Sequence, residues 1–152
     1  MHAIAIILHI LSALVWVGGM FFAHQVLRPV AAVVLDPPQR LPLWLHTLQR
    51  FFRWVWLAIP LLLLSGYWMA WNLFGGFAAF PLYVNVMQGL GWLMMLLYLH
   101  VYFAPYQRLR RHVASADWPA AAIQLASIRR MVGVNLVLGL IVVSVAAAGR
   151  YF

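Results

Sequence analysis

The chain has no cysteine, no lysine and no glutamate, and only two acids, Asp36 and Asp117. The absence of cysteine excludes disulfides, iron–sulfur clusters and thiolate metal sites. Charged residues make up 8 % of the 152 positions, whereas an ordinary soluble domain has about a quarter. So little polar surface cannot meet water on all sides. What takes its place is hydrophobic, at 66 % of the residues, with ten arginines supplying all the fixed side-chain positive charge. Without a basic helix outside the apolar segments, those arginines do not point to nucleic acid. They read as signals of membrane orientation and as contacts for lipid headgroups.

Four apolar stretches are each long enough to cross a bilayer, at about residues 3–24, 52–73, 84–104 and 131–149. Lipid supplies no hydrogen bonds, so the spans must be helices or a closed barrel. Unbroken hydrophobicity without a two-residue alternation decides for helices. The expected fold is therefore all-α, a single membrane domain over residues 1–152 forming an antiparallel four-helix bundle. The first residues lack the positive region of a cleaved signal, so the first stretch reads as a retained helix.

Arg28, Arg40, Arg50 and Arg53 fall between the first two spans, and Arg108, Arg110, Arg111, Arg129 and Arg130 between the last two. The second link carries no charge. By the positive-inside rule the arginine loops are cytoplasmic and both termini periplasmic, as expected of a multi-pass protein of a bacterial inner membrane; only Arg150 dissents. After the break Asp36-Pro37-Pro38, Leu41, Trp44, Leu45 and Leu48 recur at helical spacing, which predicts a short interfacial helix in the first cytoplasmic loop. Asp117-Trp118-Pro119 has the pattern of a helix start, so the fourth helix opens at 118 or at 131. Pro60 is expected to kink the second helix.

The membrane spans offer few groups for chemistry. His9 and His100 are ionisable at depth, with His24 near the end of the first span, and such residues are functional candidates. At about 1.5 Å per residue His9 lies about 10 Å below the outer surface and His24 about 22 Å further in. His24, His46 and His100 then share an inner level, while His9 stands alone at an outer one. On the first helix, His9, Ser12, Trp16, Gly19 or Met20, and Ala23 form one stripe. A haem b needs axial ligands from facing helices, an apolar slot and cations near its propionates. The inner level supplies histidines, aromatic rings, and Arg50, Arg53 and Arg108 for the carboxylates. His9 has no second histidine near its depth, and Met87 is the available partner. Met94-Met95 makes a poor ion-binding pair, since neighbouring helix positions diverge by about 100°.

Several segments resemble the CopD family of small membrane proteins and, more distantly, the HemJ-type protoporphyrinogen oxidases. They are Leu8-His9-Ile10-Leu11-Ser12 through Trp16-Val17-Gly18-Gly19, Arg50-Phe51-Phe52-Arg53 leading to Leu64-Ser65-Gly66, and Ile128-Arg129-Arg130-Met131 through Asn135 to Gly139. The CopD resemblance implies copper uptake or resistance. The HemJ resemblance implies haem b and an oxidase using a first-helix histidine, matched by His9, and a third-helix lysine. That lysine is missing here, where Met87-Gln88-Gly89 stands, which argues against porphyrinogen oxidation.

The leading expectation is a protein binding one or two haem b groups through His9 and His100. It would pass electrons between a quinone and a periplasmic partner, a possible membrane oxidoreductase. The alternative is copper handling through soft His and Met ligands, with His9, Met20 and Met87 named for Cu(I). The third is a structural subunit, and glycines on the third and fourth spans would serve close contacts within a monomer or a homo-oligomer. Orientation is testable independently. A topology reporter fused after Phe152 should read as outside and one inserted near residue 115 as inside; the reverse pattern would overturn the assignment.

Overall fold

The computed structural model describes residues 2–76 and 79–151. Met1 and Phe152, on which the expected placement of the termini turns, and the side chain of Arg150 lie outside what is described. The fold is all-helical. Helix α1 covers His2–Val34, α2 Pro37–Phe74, α3 Leu82–Phe103, α4 Pro105–Ala114 and α5 Trp118–Ala148. Four stretches are long and apolar enough to cross a membrane, with α3 and α4 together forming the third. The chain is a multi-pass membrane protein.

Proline and glycine set the boundaries. Asp36 precedes Pro37-Pro38 and is held extended at ψ 158°, because proline disfavours the helical region for the residue before it. Ala104, ahead of Pro105, leaves the helical region at φ −109° and ψ −86° and separates α3 from α4. Gly75 ends α2 in the left-handed region at φ 76°, where the missing Cβ removes the steric penalty. The helix start read at Asp117 holds: its carboxylate accepts from the Ala120 amide at 3.2 Å, and α5 runs unbroken from Trp118.

The segment expected as a separate interfacial helix is instead the first four turns of α2. Leu41, Trp44 and Leu48 are buried at 1–4 % exposure, and the same stripe continues through Phe52, Val55 and Ala58. No helix breaker falls between residues 43 and 59, so nothing turns the chain into the membrane plane. The stripe joins one core with Leu109 of α4 and Ala121, Leu125 and Ile128 of α5. Helix α2 also passes through Pro42 and Pro60 without interruption. At about 1.5 Å per residue both α1 and α2 exceed the roughly 30 Å of hydrocarbon, so the arginine-bearing ends stand clear of it as a small helical annex.

Helix α1 contains two π-helical turns, Leu14–Gly18 and Phe22–Leu27. Each widened turn shifts the phase of the residues that follow. The result is that His9 faces α2 while His24 faces α5. Helix α1 packs along α2, and α5 along α3 and α4, whereas the α2 and α3 backbones stand further apart and meet through rings, Phe52 and Trp56 against Tyr98 and Tyr102. Beyond those rings, toward the Gly75-Gly76 turn, the seam between the two helices opens.

If the start of α2 stands upright in the core, Leu48→Ala should destabilise the protein by about 2–5 kcal/mol, as for a buried leucine elsewhere. Exposed Gln49→Ala should stay within about 0.5 kcal/mol. Thermal unfolding in detergent checks both, and equal silence of the two would return the segment to the interface.

Candidate functional site

A cavity of about 320 Å³ lies among the four spans, toward the end of the bundle that carries the Gly75-Gly76 turn. Its wall is almost wholly apolar. His9 and Trp16 enter from α1, Gly66, Tyr67 and Met69 from α2, Met87, Gln88, Met94 and Met95 from α3, and Gly139 and Val142 from α5. At the seam, the Trp92 indole donates to the Tyr67 hydroxyl at 3.0 Å and ties α3 to α2.

His9 is positioned by α2. Its Nδ1 lies 3.0 Å from Ser65 Oγ, and that hydroxyl donates in turn to the Leu61 carbonyl. Because the serine proton is spent on Leu61, Ser65 accepts from His9 and the imidazole carries its proton on Nδ1. Nε2 is then the nitrogen that keeps its lone pair, the arrangement by which a partner on one ring nitrogen fixes the donor character of the other. Gly66 makes the approach possible: a Cβ there would stand 2.9 Å from His9 Cε1.

Trp16, buried at 3 % exposure, lines this cavity and also a second, smaller gap of about 20 Å³. Met20, Met131 and Asn135 contribute to the lower gap. Asn135 is buried and its Oδ1 has no hydrogen-bond partner. The lower gap has room for about one water molecule. Met20, named with His9 as a copper ligand, therefore sits beyond the Trp16 partition and does not line the His9 cavity.

The inner histidines do not gather. His46 and His100 are exposed, and His24 packs its ring where Gly133 of α5 leaves space. Among the described residues no three His, Asp or Glu side chains form a metal-holding group. Gly19 faces the Phe51 ring, and a Cβ there would collide with it. Arg50, Arg53 and Arg108 are exposed, away from the His9 cavity. Nothing in this distribution supports a haem b. Its propionates need cations, yet among the described residues no arginine lines the His9 cavity, and the gap beside Met20 and Asn135 holds only about one water.

Reading the residues alone missed Ser65 as the partner of His9, Gly66 as the space for it, and Met69. Ser65 and Gly66 stood within the motif Leu64-Ser65-Gly66, but their pairing with His9 spans 56 residues and has no local signal. Met94 and Met95, set aside for pointing apart, both line the cavity.

No curated protein and no solved structure matches the chain. Residues 45–148 match the family described as Copper resistance protein D, a stretch that takes in most of α2 and all of α3 to α5. The chain belongs to the copper resistance protein D (CopD) family.

Proposed function

We propose that the protein handles copper within the membrane, taking Cu(I) at the His9 cavity as cargo for uptake or resistance. The observation that carries this reading is the side-chain set around one cavity: an imidazole oriented by Ser65, with the thioethers of Met69, Met87, Met94 and Met95 in the same wall. Thioether sulfur and neutral imidazole are soft donors that favour Cu(I) over harder cations. A monocation with neutral ligands also needs no buried acid, and none of the two aspartates lies near.

His9 Nε2 would supply nitrogen and some of the four methionines sulfur, while the apolar wall keeps water from competing. Asn135 and Met20, across Trp16, would give a second weak station toward the arginine side. The positive-inside orientation would put the His9 cavity nearer the periplasm. The family match begins at residue 45, so His9 itself rests on the geometry of the cavity.

Competition against a chromogenic Cu(I) chelator in detergent checks the site. Ser65→Ala, which removes only the orienting partner, should weaken Cu(I) binding by about 10- to 100-fold. His9→Ala should weaken it further and His100→Ala should leave it unchanged. Unchanged binding in His9→Ala, or a Soret band in protein from haem-replete cells, would defeat the copper reading. Gly66→Ala should also weaken Cu(I) binding while the thermal unfolding midpoint moves less, because the new methyl group presses on the imidazole. Wild-type affinity in that variant would show that the ring position does not matter.

A further inference from the structure

At the arginine end, α1, α2 and α5 meet in a corner that collects hydrogen-bond donors, and Asp36, the acid in the α1–α2 turn, makes no ion pair with any of them. His24 and Arg28 stand one turn apart on α1, and the Arg28 guanidinium donates to His24 Nε2 at 3.4 Å. That leaves the proton on His24 Nδ1, which is buried without a partner. The same ring faces Gly133, one turn beyond Arg129 on α5. Arg129 lies with its guanidinium carbon 5.6 Å from the centre of the Trp44 ring on α2. Arg40, one turn before Trp44, reaches back to the Ala32 and Leu35 carbonyls that end α1, at 3.3 and 3.5 Å. Arg28 and Arg40 both act electrostatically on Arg129.

The imbalance is one-sided. Arg40 Nε, Trp44 Nε1, Arg129 Nε and His24 Nδ1 are all buried donors without partners. Among the described residues the only ion pair joins His112 to Asp117, so no arginine is matched by a carboxylate. Like charges brought together with unused donors are unfavourable unless an anion meets them. Guanidinium groups suit phosphate oxygens because the planar fork can bind two at once. Basic pockets between membrane helices on the cytoplasmic side are where anionic headgroups are held.

We propose that this corner is a binding site for a phosphate anion, presented by an anionic lipid headgroup or as free phosphate. The site is separate from the His9 cavity and does not depend on the copper reading. Arg28 is exposed and would admit the ligand; Arg40 and Arg129 are half-buried and would fix it.

The test uses the full chain in detergent. Native mass spectrometry compares retention of phosphatidylglycerol and phosphatidylcholine with identical acyl chains, and calorimetry measures inorganic phosphate. Preferential retention of phosphatidylglycerol assigns the site to a headgroup, and saturable heat with phosphate assigns it to the free anion. Equal retention of both lipids together with no phosphate heat overturns the proposal. R28Q and R129Q should each weaken the preferred ligand about fivefold, while R110Q, on an exposed face of α4, should not. Should R129Q fail to fold, R28Q decides alone, since its side chain is exposed. Wild-type binding in R28Q overturns the site.

Discussion

Hydrocarbon offers no hydrogen bonds, so each polar group carried into it must find its partner inside the protein. In this chain that constraint falls on very few residues, and its main product is the contact between His9 and Ser65. The serine proton is spent on its own helix at Leu61, the imidazole proton on the serine, and the Nε2 lone pair is left over. Everything that shapes the cavity follows from holding that ring. Gly66 clears space for it, the π turns after Ala13 rotate the rest of α1 relative to it, and the wider separation of α2 and α3 toward the Gly75-Gly76 turn opens a volume beside it.

The two ends of the bundle solve opposite problems. Toward the Gly75-Gly76 turn the interior is apolar with soft, neutral donors, which favours a weakly hydrated cation. Toward the arginine end the helices extend past the hydrocarbon, and the core there is built from Leu41, Trp44, Leu48, Leu109 and Leu125. Positive charge gathers around that core in excess of the two acids there, Asp36 and Asp117, and among the described residues no arginine pairs with either. Trp16, shared by the cavity and the smaller gap below, marks the division between the regions.

Helix number, helix type and the start at Asp117 were legible because each rests on a local rule: span length, the absence of alternation, and capping chemistry. The upright start of α2 was not, since Leu41, Trp44 and Leu48 have the same spacing whether they face lipid or α5. The site was half legible. His9 stood out as an ionisable residue at depth, and Trp16 lay on its stripe. Ser65 and Gly66 were within a quoted motif but acquired meaning only when α2 was laid against α1. The inner histidines looked like a cluster because depth was counted and rotation was not; His46 and His100 share a level with His24 yet are exposed, while His24 faces α5.

Copper K-edge X-ray absorption of the copper-loaded full-length protein tests the central claim most directly, because it reads the ligand atoms themselves. The account predicts Cu(I) with a mixed first shell of one imidazole nitrogen and thioether sulfur, and loss of the imidazole signature in His9→Ala. A shell of nitrogen and oxygen alone, unchanged in His9→Ala, would place any copper on surface histidines and contradict the account.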